Sequence, residues 1–296
     1  MKKMKYFFVA LLVIVAASCE NDNTTTPVGT LSLKLTDAPM HYTQFMSASV
    51  TIDKIEIGNS AHANSFMTLT NTPTKYNLLE LVNGMTSTMA TIEIPAGDYN
   101  LMRLYISSTE MVLTNGDSFT YNMNQDGYSG SGMMQGGMML NNQNRSIDIE
   151  LDHILTVSNG SMSEYLLDVD VDQSFVLEGV NYNNMMMSMT GFTFMPTMRF
   201  VDLSTSGTIN GTVQDTNENL PNATISLMHN GTLYTTTHSD ENGQYAFIGI
   251  PEGVYTIKAE LEGYIMNPVG NEQNMGKLNM MSKDTLSVNF NMMASN

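Results

Sequence analysis

The chain has one cysteine, Cys19, and no tryptophan among its 296 residues. A lone thiol excludes an intrachain disulfide and a cysteine-based zinc site. Because Cys19 stands at the end of a leader-like segment, it also excludes a catalytic thiol in the domains that follow. Positive charge is scarce: 12 Lys and Arg face 29 Asp and Glu, for a net charge of −17. Removal of residues 1–18, which hold Lys2, Lys3 and Lys5, takes the remainder to −20. Nucleic acid and anionic lipid need basic patches, so this surface is expected to bind neither. Charged residues make up only 14%, and the filler is Asn, Ser, Thr and Gly. With frequent Tyr, Phe, Val and Ile, this favours strands and turns over helices. Catalytic signatures are also missing. None of His41, His62, His153, His229 and His238 sits in H-E-x-x-H, and no serine sits in G-x-S-x-G. Gly130, Gly132 and Gly136 miss the dinucleotide-binding spacing by one residue. These absences argue against an enzyme.

What is present begins with the leader. Three lysines precede an apolar run, Tyr6–Ala17, which is too short to span a bilayer and has the length of a signal-peptide core. Small residues at Ala16, Ala17 and Ser18 give a peptidase access to the bond before Cys19. The arrangement resembles a bacterial lipobox, which implies lipidation of Cys19. Glu20-Asn21-Asp22-Asn23 resembles the acidic export signal of Bacteroidetes lipoproteins. It implies a lipid-anchored protein of the outer membrane, facing the extracellular side. The expected organisation is a signal peptide at 1–18, a lipidated tether at 19–27, a β-rich domain at 28–205 and a second β domain at 206–296.

In the first domain, Leu31, Leu33 and Leu35 alternate with polar residues as in a half-buried strand. It ends at Pro39, which cannot continue a ladder. A second strand covers Ala48–Ile57, and its apolar phase slips at Asp53-Lys54, predicting a bulge. Residues 77–82 fit either a strand or a short helical turn. Strands follow at Thr91–Pro95 and Tyr99–Ser107, and Asn115-Gly116 and Asn159-Gly160 have hairpin-turn composition. Residues 122–144, rich in Asn, Gln, Gly, Ser and Met, read as a long loop. A second Asn/Met stretch covers 181–190, before a strand around Phe192–Val201.

The opening Gly29-Thr-Leu-Ser-Leu-Lys-Leu-Thr-Asp-Ala-Pro39 resembles the domain-of-unknown-function-4382 family. The resemblance continues through Val50–Ile55, Pro95-Ala-Gly-Asp-Tyr99, Arg103-Leu104, Leu167-Asp168-Val169-Asp170, Ser174 and Pro196-Thr-Met-Arg199. It implies a secreted or lipid-anchored β domain and no established activity.

Beyond Ser204-Thr-Ser-Gly207, read as a hinge, seven short strands are expected in under 90 residues. Gly211-Thr-Val213, Asn242-Gly243-Gln-Tyr245, Pro251-Glu-Gly253-Val-Tyr255 and Gly263-Tyr264 resemble the carboxypeptidase regulatory-like family. The resemblance implies a small, non-catalytic, transthyretin-like Greek-key β-sandwich. Some similar sandwiches carry a lysine–asparagine crosslink; Thr208–Val213 lacks the lysine, so none is expected. The fold class expected for the whole chain is all-β, in two domains.

Three ligand chemistries deserve candidates. Asp168, Asp170 and Asp172 alternate with apolar residues, which places three carboxylates on one solvent-facing strand side. Their repulsion would favour a cation such as Ca²⁺, although the stretch fails as an EF-hand at Gln173 and Gly179. Methionine is unusually common at 28 residues. Met133, Met134, Met138 and Met139, with Met185, Met186, Met187 and Met189, offer soft thioethers of the kind that select Cu(I) or Ag(I). The bland alternative is that methionine serves as adaptable apolar filler. Tyr121, Tyr128, Tyr182 and Phe192 could present flat faces to a glycan. The leading expectation is a non-catalytic surface lipoprotein, anchored in the membrane by its lipid and acting as a structural or interaction module with an envelope protein or glycan. A carbohydrate-binding lipoprotein and a soft-metal scavenger are the alternatives.

Overall fold

The computed structural model describes residues 26–38, 44–59, 65–123, 138–141, 146–183, 186–216, 218–266 and 277–295. The leader and Cys19 lie outside the described residues. Among the described residues no helix is long and apolar enough to cross a membrane.

The first domain runs through β1 (Val28–Ala38), β2 (Phe45–Gly58), β3 (Phe66–Thr70), β4 (Thr74–Asn77), β5 (Ser87–Pro95), β6 (Gly97–Leu113), β7 (Ser118–Asn122), β8 (Met138–Asn141) and β9 (Ser146–Val157). It continues with β10 (Met162–Asp170), one helical turn α1 (Val171–Ser174), β11 (Phe175–Glu178), β12 (Asn181–Asn183), β13 (Met186–Ser188), β14 (Gly191–Phe194) and β15 (Met198–Asp202). One sheet has the order β15-β10-β1-β5; the other has β3-β2-β6-β9-β8, with β4 also on β2 and β7 on β6. Strand period explains the layering. Leu31, Leu33 and Leu35 of β1 point one way and meet Val50, Ile52, Ile55 and Leu104 of the facing sheet in one core.

The bulge expected at Asp53-Lys54 is present: pairing of β2 with β6 slips between Ile52 and Lys54. The slip lets Ile52 and Ile55, three apart, both face the core. Residues 78–80 form a 3-10 turn, which settles the strand-or-turn ambiguity. Gly116 and Gly160 take positive φ of 93° and 68° in their turns.

One loop expectation is corrected. The 122–144 stretch contains β8, paired along β9, so part of it is ladder. The second Asn/Met stretch, 181–190, contains the β12–β13 hairpin. Composition does not announce either ladder, because pairing with a neighbouring strand does not require an apolar period.

The second domain comprises β16 (Gly207–Gln214), β17 (Thr224–His229), β18 (Thr232–His238), β19 (Gln244–Ile250), β20 (Gly253–Glu260), β21 (Tyr264–Met266), β22 (Leu278–Met280), β23 (Thr285–Ser287) and β24 (Phe290–Ala294). Nine strands thus stand among its described residues where seven were expected; β21 and β22 carry no period long enough to read. Sheets β19-β16-β24-β21 and β18-β17-β20-β22 form a sandwich, with β23 also on β16. Its separate core holds Ile209, Val213, Tyr245, Phe247, Ile257 and Phe290. The first strand lies parallel to the last two segments, β23 and β24, so the two ends of the domain close on each other.

Both domains use the same corner. In Pro95-Ala-Gly-Asp-Tyr99 the Tyr99 hydroxyl donates to the Pro95 carbonyl at 2.8 Å. In Pro251-Glu-Gly-Val-Tyr255 the Tyr255 hydroxyl donates to the Pro251 carbonyl at 3.0 Å. Each ring pins the turn that starts its own strand, and burial pushes the Tyr255 hydroxyl up to about 12.

Candidate functional site at the domain boundary

A group of polar residues converges between the two domains. Parallel pairing of β1 with β10 sets Thr36 opposite Asp168 and Asp37 opposite Val169. Antiparallel pairing of β10 with β15 sets Asp168 opposite Arg199. Along β10, Tyr165, Leu167 and Val169 enter the first core. Leu166 and Asp168 therefore face the other way, and the second domain covers that side: Gly249 of β19 approaches Leu166 so closely that an added Cβ would come within 2.9 Å of it.

Asp168 is 6% exposed and forms an ion pair with the Arg199 guanidinium through Oδ2. The guanidinium carbon lies 4.3 Å from the ring centroid of Tyr234, on β18 of the second domain. One side chain thus neutralises a carboxylate of its own domain and stacks on an aromatic of the next. Burial alone would lower the basicity of Arg199, but the charge of Asp168 and the nearby Tyr234 outweigh it and raise it.

Asn83 makes a second clamp. Its backbone takes φ of 58°, which turns its amide toward β19. There Oδ1 accepts from the Ala246 N–H at 2.5 Å and Nδ2 donates to the Gln244 carbonyl at 3.2 Å. β19 is an edge strand of its sheet, so one carboxamide occupies backbone groups that would otherwise invite another strand.

Asp37 is 5% exposed, and its Oδ1 accepts the Val171 N–H at 3.2 Å. Burial pushes its carboxyl well above the usual range; the charges of Asp168, Asp170 and Asp172 add to this, and the Val171 N–H opposes it. The folded state therefore holds the Asp37 proton more tightly than the unfolded chain does. Its stabilising contribution is complete below the ordinary carboxylate range and is lost as pH rises through the folded value. Asp37→Asn, which imitates the protonated acid, is expected to remove this loss. By thermal unfolding the variant should match the wild type near pH 4. At pH 8 its midpoint temperature should lie above that of the wild type.

The expectation of three aspartates on one solvent-facing side is corrected. Asp168 faces the covered side and is already paired with Arg199. Asp170 ends the strand by capping α1: its Oδ1 accepts the Gln173 N–H at 3.0 Å and its Oδ2 accepts from Gln173 Nε2 at 2.6 Å. Asp172 lies within the helical turn, off the strand register altogether. Among the described residues no group of three His, Cys, Asp or Glu is placed to hold a metal.

The methionines divide similarly. Met133, Met134 and Met185 lie outside the described residues. Met138 and Met139 are consecutive residues of β8. Met186 is 60% exposed, whereas Met187 is 3% exposed and joins Met189 in the first core. Strand alternation sends Met186 and Met187 to opposite sides, so the second cluster does not converge as a unit. Met187 and Met189 act as apolar filler. Of the aromatic candidates, Phe192 is buried and tilted 46° to Tyr121 at 6.3 Å, so the two offer no common flat face. Tyr182 is exposed on β12, and Tyr128 lies outside the described residues.

Asn83, Tyr234 and the role of Arg199 were not legible from spacing. A partial signal existed, because Asp37, Asp168 and Arg199 all fall within the motif residues of the first domain in a chain with few charges. On the outer side of Arg199 an open cleft of about 490 Å³ is lined by Phe200, Asp202, Thr205, Tyr234, Pro251 and Glu252. Its size lies in the range of small-ligand sites.

Fold and site together define a two-domain β protein whose domains meet through an arginine–tyrosine stack and an edge clamp. Family comparison narrows this. The model described as "Domain of unknown function (DUF4382)" matches residues 28–189, more than half of the chain, and the chain belongs to that family. The carboxypeptidase regulatory-like domain model matches residues 208–290. Neither description is that of a catalytic family. Among curated proteins, the chain is 34% identical over 111 residues to the serine-aspartate repeat-containing protein F of Staphylococcus epidermidis. That match covers 36% of this chain and only 7% of the relative. Among solved structures, the major pilin subunit BcpA of Bacillus cereus aligns over 90% of this chain and 71% of its own, at 10% identity and a TM-score of 0.24. The shaft pilin SpaA of Lactobacillus rhamnosus GG aligns over 91% and 98%, at 10% identity and a TM-score of 0.25. The Bacillus anthracis TIE protein aligns over 90% of this chain and 51% of its own, at 13% identity and a TM-score of 0.25. Scores this low carry no functional argument.

Proposed function

We propose that this is a non-catalytic lipoprotein, anchored in the outer membrane through Cys19 and facing outward, whose two β domains act as one structural or interaction module. The observation that carries the module reading is the joint itself. Arg199 pairs with Asp168 in one domain and stacks on Tyr234 in the other, while Asn83 occupies the edge of β19. A freely jointed pair of domains would form neither contact. The anchor reading rests on the only cysteine following Ala16-Ala17-Ser18. Several acyl chains on that residue would hold the protein stably at a bilayer. The cleft beside Arg199 is where we place contact with an envelope partner or glycan.

The experiment is metabolic labelling with a fatty-acid probe, combined with protease shaving of intact cells. Wild type should carry label and be cleaved from outside. Cys19→Ala should lose essentially all label and leave the membrane fraction. Labelling that persists in Cys19→Ala, or full protection from protease on intact cells, would refute the anchor or its orientation respectively.

A further inference from the structure

Four buried polar atoms at the domain boundary have no hydrogen-bond partner among the described residues: Asp37 Oδ2, Asp168 Oδ1, Arg199 Nη1 and Thr237 Oγ1. All four residues line the same cavity, which has a volume of about 20 Å³. Three belong to the first domain and Thr237 to the second. Buried polar groups are rarely left unpaired, and four around one small space point to a shared partner.

The chemistry of the four atoms selects that partner. Two are carboxylate oxygens, one is a guanidinium N–H, and one is a hydroxyl that can donate or accept. A cation would satisfy the oxygens but would face the Arg199 N–H at close range and be repelled by it. An anion would satisfy Arg199 and Thr237 but meet two carboxylates. An apolar occupant would leave all four unpaired. A water molecule donates twice and accepts twice. It can donate to Asp37 and Asp168 while accepting from Arg199 and Thr237. If Asp37 carries a proton, the water accepts from Asp37 and Arg199 and donates to Asp168 and Thr237. The count closes in either case. The volume also fits: a cavity needs roughly 10–15 Å³ on this measure to hold one water, with two to four polar partners.

We infer that this cavity holds a single structural water that bridges Asp37, Asp168 and Arg199 of the first domain to Thr237 of the second. The joint between the domains then has three parts: the Arg199–Tyr234 stack, the Asn83 clamp and this water. Because every hydrogen bond of the water is used, it fixes the spacing between β1, β10 and β18 in a way that an apolar contact would not.

The test is a crystal structure of the mature chain at a resolution that orders waters, from crystals grown with and without a chelator. The expected result is one peak within roughly 2.6–3.2 Å of all four atoms, unchanged by the chelator. An empty cavity would overturn the inference. So would a peak at the roughly 2.3–2.6 Å of calcium–oxygen bonds that disappears on chelation, which would make the site a cation site. Thr237→Val and Thr237→Ser separate the bridging role from mere occupancy. Val should lose the peak and Ser should keep it. A fully occupied peak in Thr237→Val would remove the second domain from the bridge and overturn the interdomain assignment.

Discussion

Arg199→Met is expected to lower the stability of the first domain by about 1–3 kcal/mol, less than for a fully buried pair because the Arg199 side chain is itself 29% exposed. The cost does not come from losing attraction alone. Asp168 is 6% exposed, and without Arg199 its carboxylate would keep its charge in a poorly hydrated site with no cation to balance it. Methionine restores much of the apolar bulk over Tyr234 but none of the charge. Two companion variants isolate the cause. Arg199→Lys keeps the charge but loses the planar stack and the two-sided geometry, so it should recover only part of the loss. Asp168→Asn combined with Arg199→Met removes the stranded charge and should be more stable than Arg199→Met alone. Amide hydrogen exchange resolved along the chain is the measurement, since two domains need not unfold as one. Protection should fall in β10 and β15 and also in β18, where Tyr234 loses its partner. If β18 keeps its full protection, the pair stabilises only the first domain and does not join the two.

Much of the fold was legible because strand period is a strong local signal. Leu31, Leu33 and Leu35 declare a buried face without any knowledge of their partners. The phase slip at Asp53-Lys54 declares a bulge, because two core isoleucines stand three apart. Short strands such as β8, β13 and β21 were not legible, since three or four residues cannot display a period and their pairing is decided by neighbours remote in sequence. The candidate site was hidden for a related reason. Alternation places Asp168 on the side of β10 opposite the first core, and for a single domain that side is solvent. What covers it is a second domain that begins about forty residues later, which no local pattern announces. A carboxylate that looks solvated in the first domain is therefore interior in the whole chain. Asn83 is hidden still more deeply: its partners Gln244 and Ala246 are some 160 positions away, and the only local hint is an Asn-Gly pair suited to positive φ. Cys19 is the opposite case, because its meaning depends on the residues next to it.

Gly211→Ala should produce the other large loss, confined to the second domain. A Cβ built on Gly211 would lie 1.7 Å from the Val288 carbonyl oxygen and 2.9 Å from Tyr245 Cε1. The first distance is to backbone, so no side-chain rotation relieves it. Val288 must move, and two interactions move with it. Its N–H donates to the Asn210 carbonyl at 2.8 Å, part of the seam between the first and last strands. Its carbonyl accepts the Tyr245 hydroxyl at 2.6 Å, and that tyrosine is buried in the centre of the sandwich core. Overpacking of this kind costs about 1–3 kcal/mol, and a buried hydroxyl stripped of its partner costs about 1–3 kcal/mol more. The expected loss is therefore on the order of 2–6 kcal/mol, a large fraction of the roughly 5–15 kcal/mol that holds an ordinary domain folded. Gly97→Ala is the control. A Cβ there meets nothing within 4 Å, so the change should stay within about 0.5 kcal/mol. In hydrogen exchange the Gly211→Ala variant should lose protection across β16, β19, β23 and β24, while β2 and β6 of the first domain keep theirs, because the two apolar cores are separate. Simultaneous loss in both domains would instead show that the joint through Arg199 and Asn83 makes the pair one cooperative unit. Unchanged protection in both would mean that the seam between β16 and Val288 yields easily and does not hold the sandwich closed.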